Sequence, residues 1–171
     1  MSNLCGFCQK NKTSLQCGIC ACSTCKYCAR ILQADAFLLL AEIPPEFKHG
    51  VYCNSCYETR VAAELERYHE CLERARNVDC YFRTQGKEAR LIKRVEKPVT
   101  VEECFDRDEL LLRLAFIAAR GNFNALVDVD LVSEKVGKGS YQKLKWRGKG
   151  TPSNTNARTV VHDKSIWHNP N

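Results

Sequence analysis

From residue 57 to 76 the apolar positions Tyr57, Val61, Leu65, Tyr68, Leu72 and Ala75 recur every three or four residues among Glu and Arg. That period predicts a charged helix with one apolar stripe. Pairs such as Glu70 with Arg74 add a few tenths of a kcal/mol at most. A stripe this narrow can pack on the second domain or on its copy in another subunit, and packing within the chain is expected. His69, on this helix among glutamates, reads as a solvated side chain.

Two strand-like stretches follow, Val78 to Thr84 and Leu91 to Val101, separated by Gln85-Gly86-Lys87. Asp106 with Glu109 three positions later makes a capping box, and Leu110, Leu114 and Ile117 share a helix face. Gly121 stands where a C-terminal cap takes a left-handed residue. From Ala125 to Val136, Val127, Val129 and Leu131 alternate with Asp128 and Asp130, the period of a half-buried strand. Gly137 to Ser140 turns the chain, and residues 141–149 return with Leu144 and Trp146 inward and Lys143, Lys145, Arg147 and Lys149 outward. The order predicts an α+β unit, ββαββ, with one helix on a mainly antiparallel sheet.

Composition sets the frame for the remainder. Of the 171 residues, 44% are hydrophobic and 27% charged, as in an ordinary globular protein, so most of the chain should fold. The length suits two small units better than one large core. The longest apolar run, Ala36 to Ala41, is far too short to cross a bilayer about 30 Å thick, so no membrane span is expected. Met1 to Leu15 lacks the apolar core of a signal peptide, so a reduced, cytoplasmic protein is expected. The net charge of +6 is modest and by itself demands no nucleic-acid partner.

Cysteine changes the picture of residues 1–56. Nine of the 12 cysteines lie there, as Cys5/Cys8, Cys17/Cys20, Cys25/Cys28 and Cys53/Cys56, with Cys22 between the second and third pairs. A two-residue spacer lets a tight turn aim both sulfurs at one ion about 2.3 Å away, and zinc takes four such ligands tetrahedrally. Eight ligands predict two closed structural sites and two zinc ions per chain. A serial pairing competes with an interleaved one. Because residues 9–16 and 21–24 are short loops while residues 29–52 form an insert that must return, the interleaved reading is favoured. It puts Cys5, Cys8, Cys25 and Cys28 on one ion and Cys17, Cys20, Cys53 and Cys56 on the other. Lys10, Lys12, Lys26 and Arg30 are placed to balance the thiolate charge. Cys71, Cys80 and Cys104 lack ligand spacing and read as buried thiols.

The run CGICACSTCKYC resembles the CxxCx4CxxC core of FYVE-type and related PHD-like cross-braced fingers, and VYCNSCYETR resembles the way FYVE fingers end, on a CxxC that opens a helix. In that frame Cys22 is spare. The family's basic headgroup stretch around its third cysteine is replaced by Thr13-Ser14-Leu15-Gln16-Cys17, so phosphatidylinositol 3-phosphate binding is not implied. A RING finger is the competing frame. Cys20, Cys22, Cys25 and Cys28 fit its centre, and Cys17 is then spare. Phe7 and Asn54-Ser55 stand where RING ubiquitin ligases usually have an aliphatic residue and a proline. Further on, AARGNFNALVDVDLVSEKVGKGSYQKLKWRGKGTPS resembles the small bacterial YbjQ-type family, labelled heavy-metal-binding, over about residues 78–152. That resemblance implies an oligomer-forming binding unit.

The organisation expected is therefore a finger over residues 1–56, a joining helix over 57–77, an α+β domain over 78–152 and a polar tail over 153–171 that contains Trp167. No Ser/His/Asp set, phosphate loop or paired acids appear, and all-cysteine sites leave no open coordination position. The leading expectation is a non-enzymatic interaction or scaffold protein with a protein partner, its α+β domain supporting or oligomerising the finger. A nucleic-acid binder through residues 143–149, with Lys135 and Lys138 beside them, is second. The alternative for that strand is a solvated sheet edge protected by lysines. A RING-type ubiquitin ligase is third.

Overall fold

The computed structural model describes residues 4–85, 92–94, 96–137 and 142–155, and divides into two compact units, Met1–Glu70 and Cys71–Asn171. The architecture is α+β, with the cysteine-rich segment carrying only short strands.

In the first unit β1 (Leu15–Gln16) pairs antiparallel with β2 (Ser23–Thr24), closing the loop that holds Cys17, Cys20 and Cys22. The insert after Cys28 leaves as β3 (Ala29–Ile31) and returns as β4 (Val51–Cys53), with Ala29 opposite Cys53. This pairing is what brings the last cysteine pair back to the others. Between the two strands the insert builds a small apolar cluster. The Phe37 ring meets Phe47 at 5.4 Å and the edge of Tyr68 at 5.3 Å, and the Leu39 N–H donates to the Tyr68 hydroxyl at 3.3 Å. Tyr52 is fully buried and donates its hydroxyl to the Glu46 carbonyl at 3.0 Å.

The helix opens directly on the last cysteine pair. A single turn α1 (Asn54–Cys56) passes without a break into a π-helical stretch, Tyr57–Val61, and then into α2 (Ala62–Ala75). Cys53 is its N-cap, and its sulfur accepts from the Cys56 N–H at 3.4 Å. Of the expected stripe, Val61, Tyr68 and Ala75 are buried and Leu65 and Leu72 half-buried, while Cys71 adds a buried position that the period passed over. His69 is exposed, as expected. The division between the units falls inside this helix, after Glu70.

The second unit contains β5 (Asp79–Phe82), β6 (Val99–Cys104), α3 (Arg107–Arg120), β7 (Ala125–Val136) and β8 (Lys143–Ser153). Its sheet has the order β5-β7-β8-β6, with β5 parallel to β7 and both other pairings antiparallel. Asp106 caps α3, its carboxylate accepting from the Glu109 N–H at 2.7 Å, but the Glu109 side chain turns to Arg113 at 2.8 Å, which leaves only half of the expected box. At the other end Gly121 has φ −80°, and Asn122, at φ 61°, is the left-handed residue. The Asn122 N–H reaches the Ala119 carbonyl and the Phe123 N–H that of Ala118, the paired bonds of a Schellman ending. Gly121 is nonetheless constrained, since a Cβ there would stand 2.9 Å from the Phe123 ring.

Other expectations shift for identifiable reasons. The second strand starts at Val99 rather than Leu91, opposite Gly150 of β8 and directly after Pro98, which has no N–H to give a ladder. Leu91 and Val95, the Gln85–Lys87 turn beyond Gln85, Lys138 to Ser140 of the hairpin turn and the tail from residue 156 with Trp167 lie outside the described residues. In β7 the pairing with β8 slips between Val127 and Asp130, where Asp128 takes φ 55°. This bulge breaks the expected alternation. Val127 joins Ala125 and Tyr81 on one face, against Ile92, while Leu126, Val129 and Leu131 face Gly148 and Gly150 of β8 together with Leu110 and Leu114 of α3. Asp128 accepts from Nε and Nη2 of Arg94, each at 2.8 Å. Finally, β8 lies inside the sheet, not at its edge, and Leu144 is exposed.

Candidate metal centres

The thiols of residues 5–56 converge into two groups. In the first, the sulfurs of Cys5, Cys8, Cys25 and Cys28 all lie within 4.8 Å of one another; in the second, so do those of Cys17, Cys20, Cys22 and Cys53. The first and third pairs thus share one centre, and the second and fourth meet at the other.

Each of the first two pairs is aimed by the same local device. The N–H of Gln9 bonds the Cys5 carbonyl at 2.9 Å, and the N–H of Ala21 bonds the Cys17 carbonyl at 3.0 Å. Gln9 and Ala21, one step past each pair, are left-handed at φ 51° and 57°. The chain thereby curls tightly enough to point two sulfurs one way and then departs sharply. Glycine packing sharpens the second turn, since a Cβ on Gly18 would stand 2.3 Å from Cβ and Cγ of His49.

The spacings match a tetrahedral ion. Four sulfurs about 2.3 Å from a central metal are about 3.8 Å apart. The Cys8 and Cys25 sulfurs are 3.9 Å apart and those of Cys20 and Cys53 are 3.8 Å apart. Either group can hold a metal ion with the coordination that thiolate ligands give to soft or borderline divalent cations.

Electrostatics divides the thiols of each group. Hydrogen bonds from the N–H groups of Cys8 and Phe7 hold fully buried Cys5 down to about 5, with further help from the Cys25 N–H and the Thr24 hydroxyl, against the cost of burial. Burial pushes Cys17 up, but the N–H groups of Cys20, Cys53 and Ile19 outweigh it and bring the thiol to about 6. The N–H groups of Lys10 and Asn11 lower Cys8, and that of Cys22 lowers Cys20. Conversely, the Cys25 sulfur and burial push Cys28 up to about 12, and burial with the Cys53 and Cys20 sulfurs pushes Cys56 up to about 12. Cys22 is raised by burial and by the same two neighbours. Thiolates this close repel one another, and a divalent cation is what allows all of them to ionise.

The groups that bond to sulfur are mainly backbone amides, such as the Cys25 N–H to Cys5 at 3.4 Å, joined by the Asn11 side-chain amide to Cys8 at 3.6 Å. Of the cations expected to balance the thiolates, Lys26 lies over the Tyr27 ring at 4.9 Å, and Arg30 bonds Asn54 at 3.0 Å and Glu58 at 3.6 Å. Asn11 and Thr24 are ligand-supporting residues that sequence reading passed over, because an amide or hydroxyl near a cysteine pair carries no spacing signal.

Cys56, expected in the second centre, lies outside the set whose sulfurs are all within 4.8 Å, yet its thiol meets those of Cys53, Cys20 and Cys17. Cys22, spare in the FYVE-like frame, is inside the set, and so is Cys17, spare in the RING frame. Five thiols therefore surround the second centre. Cys71 and Cys104 are buried and Cys80 is half-buried; among the described residues none of the three joins such a group.

No family model, curated protein or solved structure matches the chain. Among the described residues no helix is long and apolar enough to cross a membrane.

Proposed function

We propose that the protein is a non-enzymatic zinc-binding interaction or scaffold protein, in which two zinc ions fold residues 1–56 into a docking surface and the α+β unit supports or oligomerises it. The observation that carries this reading is the pair of four-thiol groups with sulfur spacings close to a tetrahedral edge. Zinc suits them because it takes four thiolates without demanding redox change, and a site filled by four cysteines has no position left for a reacting water. The ligands proposed are Cys5, Cys8, Cys25 and Cys28 for one ion, and Cys17, Cys20 and Cys53 with Cys56 or Cys22 for the other.

A docking role is supported by the residues inside the ligand pairs of the first centre. Phe7 stands between Cys5 and Cys8 and is 46% exposed, and Tyr27 stands between Cys25 and Cys28 and is 74% exposed. Large exposed aromatics held rigidly beside a metal are what protein recognition uses as anchors. The FYVE or PHD-like and YbjQ-like kinships remain part of this proposal, as does a cytoplasmic setting in which the thiols stay reduced. The inclusion of Cys22 in the second group supports the RING-type ubiquitin ligase as the second reading, whereas the burial of Cys17 in the same group speaks for the first.

The test is elemental analysis of the purified full chain, which should carry two zinc ions per chain. One ion or none would overturn the proposal. Ubiquitin transfer by the loaded protein, supplied with a panel of conjugating enzymes, would move the RING reading into first place.

A further inference from the structure

The two centres differ in one respect that four-ligand zinc chemistry leaves without a role: the first gathers four thiols and the second five. The inference below rests on the reading of these groups as metal centres. Cys22 and Cys56 come from separate elements, the turn before β2 and the first turn of the helix; the Cys22 sulfur lies within 4.8 Å of those of Cys20 and Cys53, and Cys56 brings its N–H to 3.4 Å from the Cys53 sulfur with its thiol beside those of Cys53 and Cys20. Neither Cys22 nor Cys56 is fully buried, and Cys20, which both of them touch, is exposed. At the first centre Cys5 and Cys25 are buried, and among the described residues no fifth thiol joins the group.

We propose that the second centre is an oxidation-sensitive ligand-exchange site, in which Cys22 and Cys56 alternate as the fourth ligand beside Cys17, Cys20 and Cys53, and the thiol left out is oxidised onto Cys20. An ion takes four thiolates, so one of the five is always uncommitted and adjacent to the others. A two-electron oxidant of the peroxide class reacts with that uncommitted thiol as it gives up its proton. Its sulfur attacks one peroxide oxygen, the O–O bond breaks, and hydroxide leaves, giving a sulfenic acid. The Cys20 sulfur then attacks the sulfenic sulfur, the S–S bond forms, the S–O bond breaks, and the departing hydroxide takes a proton to become water. Two electrons have passed from the two sulfurs to the peroxide. Three thiols remain where the ion held four, and the ion is released. A dithiol reductant reverses the disulfide and restores the site. The first centre, with all four of its thiols committed to its ion, keeps it.

The experiment uses the full chain loaded with zinc, treated with hydrogen peroxide in the presence of a chromogenic zinc chelator and followed by peptide mapping. One of the two ions should leave, together with the appearance of a disulfide joining Cys20 to Cys22 or Cys56, and dithiothreitol with zinc should reverse both changes. Cys22→Ser and Cys56→Ser should each still carry two ions, because the other thiol completes the site. Without an uncommitted thiol each should release zinc roughly tenfold more slowly. The double variant should carry one ion, and cobalt substitution should show four-sulfur coordination at one centre in it and at both centres in each single variant. Loss of an ion from either single variant, release of both ions at the same rate, or a disulfide that omits Cys20 would overturn the proposal. An untreated wild-type protein carrying fewer than two ions would instead overturn the metal-centre reading itself.

Discussion

A cysteine binds metal as its thiolate, so the thiols that the fold already ionises and those that it keeps protonated make different contributions to binding. With Cys5 held near 5 and Cys17 near 6 by backbone N–H groups, each folded centre has at least one sulfur that carries no proton at pH 7. Cys28 and Cys56, pushed up to about 12, must each surrender one. Because the stripped first unit is unfolded, its thiols start from their ordinary value, and calorimetric titration in buffers of differing ionisation enthalpy should show close to four protons released per ion at pH 7. The sign follows: affinity should rise with pH up to the ordinary thiol range, about 8.5, as the ligands lose their protons more easily. Release of clearly fewer protons would mean that the stripped chain keeps the N–H bonds that hold Cys5 and Cys17 down. A second test at this scale concerns Gly18, where the obstacle to a Cβ is the root of the His49 side chain rather than a flexible end. Gly18→Ala must therefore move the turn that aims Cys17 and Cys20, and competition with a chelator should show weaker retention of the second ion with the first unaffected.

Among the elements, β8 carries the most information per residue. Gly148 lies where a Cβ would stand 2.6 Å from Leu131 and 3.1 Å from Leu110, so helix α3 sits against bare strand backbone there. Gly148→Ala should cost about 1–3 kcal/mol through overpacking, read as a lower denaturation midpoint of the α+β unit. An unchanged midpoint would mean that α3 can retreat. The cations of the same strand are partly answered by acids on its neighbours. Lys145 donates to Glu103 of β6 at 2.7 Å, which lowers the Glu103 carboxyl and raises the Lys145 ammonium, and Lys149 lies 3.9 Å from Asp130 of β7. Phosphate contact would have to break these pairs. Nucleic acid should accordingly bind no tighter than about 10⁻⁴ to 10⁻⁶ M at physiological salt, and replacing Lys143, Lys145, Arg147 and Lys149 by glutamine should change solubility more than binding. Submicromolar, salt-steep binding lost in that variant would make the nucleic-acid reading the leading one.

At the scale of the molecule the two units draw their stability from different sources. The first has only a few buried aromatic and aliphatic side chains, among them Phe37, Tyr52 and Leu39, and folds around its cysteines. Structural zinc contributes about 10–16 kcal/mol of apparent binding energy in finger peptides, more than so small a core replaces. The second has an apolar core in which Leu110, Leu111, Leu114, Phe116, Leu126 and Val129 are all buried. Chelation should unfold the first unit and leave the second intact, so that limited proteolysis cuts within residues 1–56 while a fragment from the α+β unit survives. Loss of both together would show that the metal supports the whole chain.

Cysteine spacing and loop length, both written in the chain, were enough to bring Cys5, Cys8, Cys25 and Cys28 to one centre, because a two-residue turn and a long returning insert leave few ways to gather four sulfurs. Apolar period and cap chemistry likewise located α3 from Asp106 onward and the order of the second unit, since these act within a few residues of one another. Other features depended on contacts between distant residues. The bulge at Asp128, with its two bonds to Arg94, reversed which of Val127 and Leu126 faces the helix. The passage of β8 through the middle of the sheet turned an expected edge into a charge-paired interior strand. The gathering of five thiols at the second centre arose only when β3 and β4 paired and carried Cys53 and Cys56 beside Cys20 and Cys22. Local spacing fixes which residues can serve as ligands, but distances between segments far apart in sequence are set by strand register and packing, and those decide how many arrive.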